Sequence, residues 1–265
     1  MSVPDVLARI VAQRRRRYAG EPAVPLGERE APLAPEENAF LAALTERRRE
    51  AKIIAEVKLG SPRLGPLADR VEPLRLAETY ADVGAAALSV VVEPDFFFGS
   101  WALLTACRAA SGLPALAKDF IVHSRQLEEA QAAGAGAVLL VAALYDGAEL
   151  ARWARRARAL GLLPLVEVHD AADLARLAGG RWEAVGVNQR DLRTFEVDRE
   201  RSLALLPELP VGACRVAESG ISGGDDVARL RAAGFDAFLV GEALLLAADP
   251  AERLGELVTA GMEAR

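Results

Sequence analysis

The chain has 265 residues, 52% of them hydrophobic, with 32 basic against 38 acidic side chains and a net charge of −6. That length can bury a large core, as one barrel-sized domain or two smaller ones, and the acidic balance argues against broad binding of nucleic acid or of an anionic membrane surface. Cys107 and Cys214, the only cysteines, suit buried packing residues in the reducing cytosol; with no apolar run near the roughly 18 residues of a membrane span and no leader-like start, a cytoplasmic protein is expected.

In chain order, the first fifty or so residues differ from the rest. An amphipathic segment ends in the run Arg14 to Arg17, a stretch punctuated by Pro and Gly covers Gly20 to Pro35, and a helical pattern runs from Glu36 to Arg49. These residues form an N-terminal helical extension, and the arginines read as a solvated face that complements a helix dipole rather than as an RNA contact.

From Ile53 onward short apolar runs alternate with longer helical patterns. The strand candidates are Ile53 to Val57, Ala87 to Val92, Pro114 to Ala117, Ala137 to Val141, Pro164 to Val168, Ala184 to Val187, Cys214 to Ala217 and Ala237 to Val240. Between them Val71 to Val83, Arg125 to Ala133, Ala148 to Leu160, Ala171 to Leu177 and Asp225 to Ala233 carry Leu and Ala at helical spacing, so the repeating unit is βα. Gly84, Gly134 and Gly234 each end a helical segment just before a strand, at spacings of 50 and 100 residues. Two units in each 50 residues give eight in about 200, which predicts one (β/α)8 barrel domain over 1–265, with the extension at about 1–50 and the barrel at about 51–265. No GxGxxG follows the first strand, which weakens the dinucleotide-binding alternative.

In such a barrel the chemistry lies where the strands end, and these strands end in polar residues. The first closes on Glu56-Val57-Lys58, the third runs into Lys118-Asp119-Phe120, the fifth closes on Glu167-Val168-His169, the sixth on Asn188-Gln189-Arg190 and the seventh on Glu218-Ser219-Gly220. Glu56 and Lys58, two apart, share a face and point into the mouth, where an unpartnered pair would be costly. With Lys118 and Glu167 they form an acid/base constellation. Ser219-Gly220 and Gly241-Glu242 follow the last two strands, where such barrels bind phosphate through backbone N–H groups. The Lys58 to Gly65 loop can close from the opposite side through Ser61, Lys58 or Arg63. Phe96, Phe97 and Phe98 follow the second strand and suit either a planar ring or a plug beneath the loop.

These motifs, in this order, resemble the indole-3-glycerol phosphate synthase family. The resemblance runs from about residue 36 to 245 through Ile54-Ala55-Glu56-Val57-Lys58, Ser61-Pro62, Glu93-Pro94-Asp95-Phe96-Phe97, Lys118-Asp119-Phe120, Leu165 to His169, Gly186-Val187-Asn188, Arg190-Asp191-Leu192 and Ala217 to Ile221. It implies a carboxy-lyase of tryptophan biosynthesis that turns 1-(2-carboxyphenylamino)-1-deoxyribulose 5-phosphate into indole-3-glycerol phosphate with no metal or organic cofactor. It assigns Lys118 as general acid for ring closure, Glu167 as acid/base in the later dehydration, Lys58 and Glu56 to proton handling and orientation, and Asn188 and Glu218 to the substrate's polar groups. Ser61, Ser219, Gly220, Gly241 and Glu242 correspond to the phosphate cradle, and Pro62, Phe97, Phe120 and Arg190 join the substrate-binding set. The expected partner is this small anthranilate-bearing sugar phosphate, with no nucleic acid and no membrane, for a monomer or weak homo-oligomer. The chain departs from the family pattern at Arg63-Leu64, Ala117 and Gln189. A lysine acid needs a lowered pKa to work near neutrality, and Lys58 is the cation expected to lower it for Lys118. A phosphoribosylanthranilate isomerase would share the phosphate loops but rely on a Cys/Asp pair. The extension is expected as a lid over the mouth, the alternative being a cap on the other end.

Overall fold

The computed structural model describes residues 6–67, 71–191 and 196–262. All eight expected strands form: β1 (Lys52–Val57), β2 (Ala87–Val91), β3 (Ala115–Lys118), β4 (Ala137–Val141), β5 (Leu163–Val168), β6 (Ala184–Asn188), β7 (Cys214–Glu218) and β8 (Ala237–Val240). Each pairs in parallel with its neighbour in sequence, and β8 closes onto β1. The result is a (β/α)8 barrel.

Two helices precede the barrel, α1 (Val6–Tyr18) and α2 (Ala39–Thr45). Those that follow are α3 (Pro73–Val83), α4 (Trp101–Ser111), α5 (Ser124–Ala132), α6 (Gly147–Ala159), α7 (Ala171–Ala175), α8 (Arg201–Leu205), α9 (Gly224–Ala233), α10 (Glu242–Leu245) and α11 (Pro250–Thr259). Local chemistry sets their ends. Asp146 caps α6 by accepting from Glu149 N, and Gly84 and Gly234 end α3 and α9 in the left-handed conformation that favours glycine.

Alternation along each strand sorts its side chains into two cores. Ile53, Ala55 and Val57 of β1 face the helices in the outer layer. Ile54 faces inward, with Leu116, Leu139, Leu165, Val216 and Leu239, in the barrel interior. Phe40, Leu41 and Leu44 of α2 pack into that same interior, sealing its floor.

The helix expected over Glu36 to Arg49 is shorter. A 3-10 turn occupies Pro35–Glu37 and α2 begins only after Asn38. Asn38 is extended; its carbonyl oxygen accepts from Leu41 N while its amide donates to Gly136 O and Gly161 O at the strand starts. One side chain thus both caps the helix and fixes it to the floor.

The Arg14 to Arg17 run also differs from expectation. Arg15, Arg16 and Arg17 are exposed, but Arg14 is 1% exposed and ion-paired with Asp119, just beyond β3. The helical period turns one arginine inward, and it finds a carboxylate 105 residues away. Tyr18 donates to Glu129 Oε2 at 2.6 Å and stacks on His123, and Arg9 lies over Phe96. Thus α1 packs beside the C-terminal ends of the strands, through Asp119, Glu129 and Phe96, and α2 at the opposite end.

Candidate active site

One cavity at the C-terminal ends of the strands is lined by Glu56, Lys58, Ser61, Arg63, Phe97, Lys118, Phe120, Glu167, Asn188, Arg190, Ser219, Gly220, Gly241 and Glu242, among others. The inward alternation that gives Ile54, Leu116, Leu165 and Val216 to the interior delivers Glu56, Lys118, Glu167 and Glu218 two positions later. Two expected site residues fall outside the lining. Glu218 is fully buried beneath it, and Pro62 does not reach it.

The charged groups form a network. Glu56 accepts from Lys58 Nζ at 2.6 Å on one oxygen and lies 3.1 Å from Lys118 Nζ on the other. Burial favours protonation of Glu56, but Lys118 and Lys58 outweigh it and hold the carboxyl down at about 2. Glu167 Oε2 accepts from Asn188 Nδ2 at 3.1 Å, and its Oε1 lies 3.3 Å from His169 Nε2. Against burial, His169 and Lys118 hold Glu167 at about 2 as well. Burial and the Glu167 carboxylate together push Glu218 upward, and neither of its oxygens has a hydrogen-bond partner among the described residues.

The expected lowering of the Lys118 pKa is not what the geometry gives. Burial works in that direction, but Glu56, Glu218 at 3.8 Å and Glu167 outweigh it and hold the ammonium above its ordinary value. Lys58, bonded to Glu56, shares a carboxylate with Lys118 instead of repelling it. Ala117, the departure beside Lys118, packs in the outer, helix-facing layer, so the Lys118 environment is set by Glu56 and Glu218 whatever stands at 117.

Two glycines make room for this chemistry. A methyl group at Gly186 on β6 would collide with Glu218 Oε1, and one at Gly241 would collide with Glu56 Oε1. The sequence reading gave Gly241 to the phosphate loop alone and gave Gly186 no role; the signal available was a glycine at an inward strand position. His169 was likewise left without a role, and so was Ser89, buried beside Glu56 in register with its hydroxyl unpartnered.

The rim has two characters. On one side Phe97 and Phe120 lie 6.4 Å apart, ring to ring. Glu93 steadies the Phe97 loop by accepting from the backbone N–H groups of Asp95, Phe96 and Phe97. On the other, Ser219 and Gly220 take successive positive φ angles of 64° and 69°, a strained turn of the kind found at binding sites. Gln189 holds that turn by donating to Ser219 O at 3.0 Å. Gly60–Ser61 pairs with Gly65–Pro66 in a small hairpin, from which Arg63 reaches across to Glu242, itself 3.3 Å from Arg190. Among the described residues no cluster of three or more His, Cys, Asp or Glu could hold a metal ion, and no helix is long and apolar enough to cross a membrane.

Comparison with known proteins agrees with this layout. A sequence profile described as indole-3-glycerol phosphate synthase matches residues 7–257. An indole-3-glycerol phosphate synthase of Variovorax paradoxus is 42% identical over 270 residues, covering 96% of this chain and 99% of the relative. One from Acidithiobacillus ferrooxidans is 41% identical over 259 residues, covering 96% and 98%. Two solved structures share the fold at low identity: a thiamine phosphate pyrophosphorylase from Pyrococcus furiosus (TM-score 0.60, 14% identity, 81% of this chain and 96% of that one) and a 3-hexulose-6-phosphate synthase from Salmonella typhimurium (TM-score 0.65, 16% identity, 81% and 100%).

Proposed function

The chain belongs to the indole-3-glycerol phosphate synthase family, carboxy-lyases of tryptophan biosynthesis, and from that premise we propose how its own residues divide the work on 1-(2-carboxyphenylamino)-1-deoxyribulose 5-phosphate. The substrate's phosphate binds at Ser61, Ser219, Gly220, Gly241 and the backbone N–H of Glu242, and its aromatic ring lies against Phe97 and Phe120. That orientation sets the carbonyl over Lys118. As the electron-rich ring carbon attacks, Lys118 donates its proton to the carbonyl oxygen, and departure of carbon dioxide restores the aromatic ring. Glu56 orients Lys118, and Lys58, on the same carboxylate, returns its proton. In the dehydration the hydroxyl formed at ring closure takes a proton from the reprotonated Lys118 and leaves as water, while Glu167, ionised, accepts the proton released from the ring as the indole forms, with Asn188 and Glu218 holding hydroxyls and Arg190 the charged end of the substrate. In this reading the extension belongs to the same domain as the barrel, whose floor α2 completes.

The observation that carries the proposal is the convergence of Lys58, Lys118, Glu56 and Glu167 at the base of one cavity whose rim is aromatic on one side and glycine-turned on the other. Lys118 is held charged there, the state a proton donor needs. A positioned acid contributes typically about 10² to 10⁴ in rate. Lys118→Met should therefore abolish formation of the fluorescent indole product while the barrel stays folded. More than about a tenth of native activity in that variant would remove Lys118 from the acid role.

A further inference from the structure

His169 stands at the end of β5, and its ring lies between two carboxylates. Nε2 is 3.3 Å from Glu167 Oε1, and Nδ1 is 3.3 Å from Asp173 Oδ2. Nδ1 is within hydrogen-bond reach of Asp173, whereas Nε2 makes no hydrogen bond among the described residues and faces Glu167 as a charge partner; a neutral imidazole would turn a lone pair toward one of the two carboxylates, and the imidazolium turns an N–H toward both. Asp173 is fixed for the purpose. It is 3% exposed, accepts from His169 N at 2.9 Å and from Asp170-capped α7 presents its other oxygen to Arg176.

Glu167 also faces Glu218, from the next strand but one. Gly186 on β6 is the register partner of Glu167, and the space its missing side chain leaves is where Glu218 Oε1 sits. Two buried carboxyls meeting across a glycine do not both ionise readily. The closer partners favour one distribution. His169 at 3.3 Å and Asn188 at 3.1 Å attend Glu167, whereas the nearest cation to Glu218 among the described residues is Lys118 at 3.8 Å, itself 3.1 Å from Glu56.

We propose that His169, seated on Asp173, is a positioning residue for the Glu167 base: it holds one carboxylate oxygen, Asn188 holds the other, and the proton shared by the buried carboxyl pair is left on Glu218. Glu218, beneath the cavity lining, is then a neutral acid able to donate a hydrogen bond, which a carboxylate cannot. The raised pKa of His169, pushed up to about 10 by Asp173 and Glu167 against burial, accords with a ring that stays cationic through neutral pH. The inference rests on the role proposed above for Glu167.

Two measurements test it. In ¹⁵N-labelled native enzyme, the His169 imidazole, told from that of His123, the other of the two histidines, by comparison with His123→Gln, should remain doubly protonated to about pH 9. In steady-state kinetics His169→Gln should leave KM within about threefold and move the acidic limb of the kcat profile upward by about one unit or more, because a carboxyl that loses its cation protonates at higher pH. Asp173→Asn should move the limb the same way by less. A purely structural role would lower the height of the profile and leave the limb in place. A ring that loses its second proton below about pH 7.5, or limbs that stay put in both variants, overturns the proposal, and the titration decides it even if the variants misfold. Glu167→Gln separates the two readings. If it remains active, the assignment of Glu167 itself fails; if it is inactive while His169 titrates as an ordinary histidine, only the present inference fails.

Discussion

At the floor of the barrel α2 fills the space between the strands with Phe40, Leu41 and Leu44, none more than 4% exposed, whereas at the mouth the same inward positions carry Glu56, Lys118, Glu167 and Glu218 with Lys58 beside them. The floor is closed, and the mouth keeps its carboxylates buried beneath partly exposed lysines, 13% for Lys58 and 21% for Lys118; burial favours the floor and not the mouth. Buried apolar surface contributes roughly 25 cal/mol per Å², while each buried charge is costly unless partnered. The floor therefore supplies stability, and the mouth uses it to hold lysines and carboxylates in a geometry water would dissolve. Division of labour along the strand axis follows from one alternation, apolar for the lower half of each strand and, on β1, β3, β5, β6 and β7, polar for the last inward residue.

The strongest test of that division is Phe40→Ala. Removing a fully buried phenylalanine leaves a cavity and costs about 3–5 kcal/mol, and Phe40 sits at the strand starts, beside Gly136. Chemical denaturation should show that loss, with kcat at 25 °C near the native value. A fall in kcat out of proportion to the unfolded fraction would mean that the two ends are mechanically coupled.

Gly186→Ala probes the mouth in the opposite sense. The added methyl must displace the Glu218 carboxyl, a side-chain end rather than backbone, so stability should change by less than about 2 kcal/mol. Activity should fall by about 10², the scale of a misplaced catalytic contact. Native-like turnover would show that the position of Glu218 does not matter to the reaction.

What the sequence made legible, and what it hid, divides along similar lines. Strands buried on both faces appear as short apolar runs, so β4 and β8 have the limits expected for them, Ala137–Val141 and Ala237–Val240. Five of the other runs end in a charged or amide residue, which is why Glu56, Lys118, Glu167 and Asn188 could be named from order alone. Helix α4 was passed over because Trp101, Leu103 and Leu104 crowd its first turn and blur the helical period; Ser100, which caps it by accepting from Leu103 N, was the available sign. Pairings between distant segments left no local trace. Arg14 looked like its three exposed neighbours until Asp119 was brought to it, and His169 looked like a motif residue until Glu167 and Asp173 were found on either side. Gly186 was hidden for a third reason, since its function is the space it leaves to a side chain on the next strand.

The smallest effect expected is at the extension, where the comparison between floor and mouth becomes one between α1 and α2. Removing residues 1–18 takes away Arg14, Arg17 and Tyr18, which bind Asp119, Asp95 and Glu129 around the mouth, but leaves Phe40, Leu41 and Leu44 in the floor. Because the same truncation opens Asp119 to water, no carboxylate is stranded in a dry site, and the stability loss should be smaller than that of Phe40→Ala. The loops carrying Phe97 and Phe120 lose their support, so KM should rise severalfold while the denaturation midpoint moves less than in Phe40→Ala. The reverse pattern, a large fall in stability with KM unchanged, would make α1 a second structural plug and confine substrate binding to the barrel loops.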